Sequence, residues 1–132
     1  MYAMTNPQNR YMQQGVMTAN PADLIVMLYD GCIKQLKIAA LAIEEKNTEK
    51  AHSCFRKSED IMIELVNCLD LNYLIADELL ALYEFIIREI IEINASKDAS
   101  RIEGVTDILG ELREAWSEVA KTQKGTTILV EE

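Results

Sequence analysis

The sequence predicts an all-α protein, an antiparallel up-down four-helix bundle with an N-terminal apolar-studded leader segment. Three observations carry that prediction. Glycine and proline are scarce, five and two of 132 residues, while leucine, isoleucine, alanine and glutamate abound. Apolar residues recur at helical spacing through four long stretches. Breaks of about two to five residues separate them, short enough to make successive helices antiparallel neighbours. The expected organisation is a leader over 1–19 packing on the bundle, the bundle itself over 20–122, and a tail over 123–132.

Helix one is expected over 20–46. Asn20 suits an N-cap, Pro21 the first turn, and Asp23 is a capping carboxylate. Leu24, Leu28, Gly31, Cys32, Ala39 and Ile43 line one face, and Ile25, Tyr29, Leu36 and Ala40 widen it. Val26, Met27 and Leu41 fall off it, and only Asp30, Lys34, Lys37, Glu44 and Glu45 make a wet edge. A helix apolar on most of its girth is either central in the bundle or partly reserved for a partner.

Helix two is expected over 49–70, after a break at Asn47-Thr48 with Thr48 as its cap. Ala51, Phe55, Ser58, Met62, Leu65 and Leu69 form its seam, with Cys54 and Ile61 beside it, and Ile63 points well away. Helix three is expected over 73–95. Its seam is Ile75, Leu79, Leu82, Ile86, Ile90 and Ile93, and a second row of Leu80, Tyr83, Ile87 and Ile91 stands alongside. Asp98 caps helix four, expected over 99–122, with Ile102, Val105, Leu109, Leu112, Trp116 and Val119 as its seam. Gly104 and Gly110 cost about 1 kcal/mol each inside a helix, which close approach of a neighbour would explain.

The two ends differ in kind from the helices. The leader is polar yet carries Tyr2, Met4, Tyr11, Met12, Val16 and Met17. It reads either as an unstructured start or as a detachable segment packed over an apolar groove, a task for which flexible Met is suited. The tail carries a β-branched apolar patch, Thr126–Val130, to which the pattern assigns no role.

Composition excludes several functions. A net charge of −9 argues against nucleic acid and against an anionic membrane surface. The longest apolar run, Leu24–Tyr29, is far too short to span a membrane, and the start has no apolar signal-peptide core. Cys32, Cys54 and Cys68 are odd in number, without CxxC spacing, and read as reduced thiols of a cytoplasmic protein. A di-metal bundle needs two Glu-x-x-His motifs, and the chain has one, Glu49-Lys-Ala-His52, holding its only histidine. No nucleophile–histidine set and no Gly-rich phosphate loop can be assembled, and no seam contains a carboxylate. The expectation is a non-enzyme with no catalytic residue, cofactor or metal.

What is left over is apolar surface. Val26, Met27, Leu41, Ile63, Leu80, Ile87 and Ile91 exceed what one bundle seam consumes. They imply either a wider core with some exposed residues or a groove for a peptide.

Several blocks add a resemblance. Asn6-Pro7, Tyr11, Val16, Thr18-Ala19-Asn20-Pro21 and the run Leu24-Ile25-Val26-Met27-Leu28-Tyr29-Asp30-Gly31 resemble the flagellin-specific export chaperone family, FliS. Glu64-Leu65 with Leu69-Asp70, Leu82-Tyr83-Glu84-Phe85, and Leu112-Arg113-Glu114-Ala115-Trp116 continue the likeness in register. Gln8 departs from it, where many relatives carry an aromatic.

The resemblance implies a cytoplasmic type III secretion chaperone. It would bind the disordered C-terminal region of flagellin, prevent premature polymerisation and deliver the subunit to a flagellar export gate component. In the family the leader occupies the client groove when it is empty. With the surplus rows, the expected partner-binding residues are Tyr11, Val16, Leu24, Met27, Leu28, Tyr29, Ile63, Leu80, Tyr83, Ile87 and Ile91. The unloaded protein is expected to be a monomer or weak dimer, without nucleic acid or membrane insertion. The alternative is a non-enzymatic helical interaction module that self-associates through helices one and three.

Overall fold

A computed structural model of the chain describes residues 21–125. Four helices account for most of them: α1 Pro21–Glu44, α2 Thr48–Asn67, α3 Leu74–Ser96 and α4 Ile102–Gly125. A single 3₁₀ turn, Ala99–Arg101, leads into α4. The fold is the all-α bundle that the periodicity predicts. Asn20, the leader and the Thr126–Val130 patch lie outside the described residues.

The ends of the helices show how the breaks are made. Past the end of α1, Lys46 takes a left-handed conformation, φ 61°, and the Asn47 N–H reaches back to the Ala42 carbonyl at 2.8 Å. That is the backbone reversal usually given to glycine. The cap of α2 is Asn47 rather than the expected Thr48, because its side-chain oxygen accepts from the Lys50 N–H at 3.1 Å. Lys97 repeats the left-handed reversal after α3, φ 56°. Its ammonium also donates to the Asn94 side-chain oxygen at 2.9 Å and to that residue's backbone carbonyl. Asp98 caps as expected, accepting from the Ser100 N–H at 3.1 Å, although the element it opens is the 3₁₀ turn.

The helices close a ring. α1 packs on α2 and α4, α3 packs on α2, and the α3–α4 contact is sparse. Between them sits one apolar core that includes Tyr29, Leu36, Phe55, Met62, Tyr83, Ile86, Ile90, Ile93 and Leu109. Ser58 is fully buried and satisfies its hydroxyl by donating to the Phe55 carbonyl at 2.7 Å. Cys32 donates to the Ser58 carbonyl at 3.8 Å, and burial pushes its thiol up to about 12.

Three expectations are corrected. A Cβ on Gly104 or Gly110 would meet nothing within 4 Å, so no neighbouring helix explains either glycine. Ile75, assigned to the helix-three seam, is 62% exposed. Glu64, off every seam, is only 8% exposed, and burial raises its carboxyl. It does not make a catalytic pair with His52, which lies twelve positions earlier on the same helix, about 18 Å away along its axis.

Candidate partner-binding groove

The two ends of the bundle are built differently. At the end holding the α1–α2 and α3–α4 connections, polar side chains bridge the helices. His52 Nδ1 and the Asn94 amide nitrogen lie 3.0 Å apart across α2 and α3. Arg101 donates to Glu89 at 2.9 Å and to Glu92 at 3.0 Å, joining the 3₁₀ turn ahead of α4 to α3. At the other end α3 and α4 separate, and an apolar groove of about 510 Å³ opens between them.

Each wall of the groove comes from a different helix. Leu65, Cys68 and Leu69 belong to α2 and its exit. Tyr73, Ile75, Ala76, Leu79 and Tyr83 come from the start of α3, and Leu112, Ala115, Trp116 and Val119 from the later half of α4. Ile25 of α1 closes the bottom, and Asp70 is the one charged lining residue. The volume is that of an ordinary ligand cleft. Its rim extends the apolar character outward, because Leu71, Tyr73, Leu74 and Ile75 are all exposed around the α2–α3 connection.

The floor carries a polar feature. Tyr29 of α1 and Tyr83 of α3 meet edge to face, ring centroids 6.4 Å apart, with their hydroxyls 2.5 Å from each other. Burial is the main cause that raises both phenols above the ordinary tyrosine range. Trp116 works in the opposite sense on Tyr29, by less than burial does. Cys68 lies near the pair, and its own thiol is raised by burial and by Glu64.

The expected partner-binding residues scatter over this geometry. Tyr83 lines the groove. Leu28 and Tyr29 are buried too completely to touch a partner, so they support the floor from beneath. Leu24 is also buried, and Met27 is half-buried away from the lining. Ile63, Leu80, Ile87 and Ile91 do not line the groove; Ile63 and Ile91 are exposed and the other two half-buried. Leu80, Ile87 and Ile91 share one face of α3. Tyr11 and Val16 lie outside the described residues.

Many of the lining residues that pattern reading missed had been absorbed into seams. Leu69, Ile75, Leu79, Leu112, Trp116 and Val119 look like core by spacing. One signal was available. The break between helices two and three carries Leu71, Tyr73 and Leu74, whereas a connection exposed to water is ordinarily polar.

Among the described residues no cluster of histidine, cysteine or carboxylates can hold a metal. No described helix is long and apolar enough to cross a membrane.

Comparison with known proteins completes the picture. Residues 4–123 match the family model described as flagellar protein FliS. The chain is 30% identical over 122 residues to the flagellar secretion chaperone FliS of Bacillus subtilis, covering 92% of each. It is 31% identical over 126 residues to the protein of that name from Escherichia coli, covering 89% of this chain and 91% of the relative. A solved bacterial flagellar chaperone shares the fold with a TM-score of 0.74 at 22% identity, over 87% of this chain and 95% of that one. A match over nearly the whole length, on a bundle with an open apolar groove, means that this chain belongs to the FliS family, whose members are flagellar secretion chaperones and not enzymes.

Proposed function

We propose that the groove between α3 and α4 holds an export substrate, and that this substrate is the C-terminal segment of flagellin. The observation that carries the reading is the groove itself: about 510 Å³, apolar but for Asp70, and continuous with exposed apolar side chains at its rim. A segment that is unfolded when alone offers apolar side chains at helical spacing once it coils against such a surface. Coupled folding and binding of this kind buries on the order of 1,000–3,000 Å² and loses several kcal/mol to ordering. The groove alone is smaller than that. The exposed Ile63 and Ile91, with the half-buried Leu80 and Ile87, supply further apolar surface for a segment that continues around the bundle.

Covering the client's end blocks the contacts by which subunits polymerise, and the loaded complex then passes to the export gate from the cytoplasm. The leader, with Tyr11 and Val16, competes for the same groove and keeps the net affinity low enough for release. The test is a titration with a flagellin C-terminal peptide, read by the fluorescence of Trp116, the chain's one tryptophan and a groove residue. A saturating change, with a one-to-one complex in gel filtration, supports the reading. An oligomer indifferent to peptide would point instead to self-association.

A further inference from the structure

The apolar run Ile128-Leu129-Val130 lies outside the described residues, and the proposed function gives it no role. It belongs to the seven residues that follow α4, 126–132, and stands between Thr126-Thr127 and Glu131-Glu132. Where those residues begin is fixed by α4. That helix ends at Gly125, and its later half supplies Leu112, Ala115, Trp116 and Val119 to the groove. Position 126 follows Val119 by seven residues, about two helical turns, and so falls on the same face of α4. The chain therefore leaves the helix on the groove side. Glycine at the last position lets it reverse there, because a left-handed backbone carries no Cβ penalty at Gly.

Length then selects what the run can reach. Val119 and Trp116 lie six and nine residues before Gly125, about 9 and 14 Å back along the axis. An extended strand advances about 3.3 Å per residue, so Ile128 to Val130 stand about 10 to 17 Å from Gly125. Folded back along α4, they fall level with Val119 and Trp116. Both side chains have surface to offer, since Val119 is 39% exposed and Trp116 is half-buried. Leu112, thirteen residues back at about 20 Å, is beyond them, so the run covers the outer part of the α4 wall and not the floor. Charge agrees with this stop. Glu131 and Glu132 follow directly, and a carboxylate left in an apolar groove is costly.

We propose that Ile128-Leu129-Val130 docks in cis on the Trp116–Val119 wall whenever the groove holds no client. The tail then acts as a placeholder. It covers apolar surface that would otherwise meet water, and any ligand of the outer groove has to displace it. Tethering makes a weak contact sufficient. A short flexible link holds the run at about 1 mM effective concentration. With an intrinsic dissociation constant of about 0.1 mM the seat is filled roughly nine-tenths of the time, and a competing ligand binds about tenfold more weakly. The proposal concerns the empty protein and holds whichever client the groove takes.

The test uses the full chain, Leu129→Asp in the full chain, and a synthetic peptide of residues 126–132. The readout is the emission of Trp116, the chain's one tryptophan. Expected is a red-shifted, more readily quenched emission in Leu129→Asp, with helix content unchanged by circular dichroism. The peptide should saturate Leu129→Asp with a dissociation constant of about 0.1 mM and restore the parent emission, and should bind the parent about tenfold more weakly. Identical emission in the two proteins would overturn the proposal, as would equal peptide affinity. So would a difference confined to concentrations at which gel filtration shows a dimer, since the tail would then cross to a second copy. If Leu129→Asp unfolds, Leu129→Ala takes its place, with a smaller shift of the same sign expected and no shift overturning the proposal. No flagellin peptide enters the experiment, so its failure leaves the proposed function standing, and a groove that ignores the flagellin peptide leaves the docking of the tail standing.

Discussion

By spacing alone, Ile75 and Ile90 belong to one seam of α3, and the same truncation separates them sharply. Ile90 is 0% exposed at the centre of the core, and Ile75 is 62% exposed at the rim of the groove. Ile90→Ala removes buried carbons and leaves a cavity, at about 2–5 kcal/mol. For a domain of this size that lowers the thermal midpoint by roughly 6 °C or more. Ile75→Ala removes a side chain that already meets water over most of its surface, so its effect on folding is at most about 1 kcal/mol. Occupation of the groove would bury the remaining three-fifths of the side chain, about 1–2 kcal/mol of binding. Ile75→Ala should therefore raise the dissociation constant of the flagellin peptide roughly fivefold to twenty-fivefold with an almost unchanged melting curve. Thermal circular dichroism and a Trp116 fluorescence titration measure both quantities on one preparation. An Ile75→Ala protein as destabilised as Ile90→Ala, or one binding the peptide like the parent, would refute the assignment of this end of α3 to the partner.

Gly104→Ala and Gly110→Ala should each stabilise the protein by about 1 kcal/mol, since a Cβ at either site meets nothing and a helical glycine is entropically costly; chemical denaturation measures the gain. Alkaline unfolding should be steep. The Cys32 thiol is held from its usual 9.0 up to about 12, so the unfolded chain loses that proton first; stability is complete below pH 9.0 and falls as pH rises toward 12, and Cys32→Ala should flatten the decline in urea titrations at pH 8 to 11. Arg113 reaches Asp30 with Nε at 2.9 Å and its Nη2 at 3.4 Å, joining α4 to α1, but both partners meet solvent. Asp30→Asn should cost no more than about 1 kcal/mol, and melting curves of the two proteins should converge in 1 M salt. Removing residues 1–17 should leave helix content intact and tighten peptide binding, as circular dichroism and titration would show; loss of the fold would mean that the leader belongs to the core.

Periodicity made the bundle legible because core burial and helical repeat obey the same spacing. The four helices lie within about three residues of their expected bounds, and the seams of α1 and α2 place Leu28, Cys32, Leu36, Phe55, Met62 and Leu65 where the core needs them. The groove was not legible for the same reason. A residue facing a gap between two helices has the same spacing as one facing a neighbour, so Ile75, Leu79 and Trp116 read as interior. Only the distance between α3 and α4 tells these cases apart, and spacing along one helix carries no information about it. The surplus rows pointed to apolar surface correctly in kind. Leu41, Ile63 and Ile91 are exposed, yet none of the three reaches the groove.

The asymmetry between the two ends explains how a bundle can keep an apolar opening without collapsing on it. Closing the groove would bring α3 against α4 along the whole of their length. At the far end Arg101, held by Glu89 and Glu92, already ties the turn before α4 to α3, and His52 with Asn94 ties α3 to α2. These contacts set the splay of the helices, while the Tyr29–Tyr83 pair holds the start of α3 to α1 rather than to α4. Collapse would have to break a buried hydrogen bond and re-pack Ile86 and Ile90 to gain contacts among Leu79, Leu112 and Trp116. A client that fills the opening gains those contacts without that disruption. Under the function proposed above, its binding energy would go to ordering its own chain and not to reshaping the bundle.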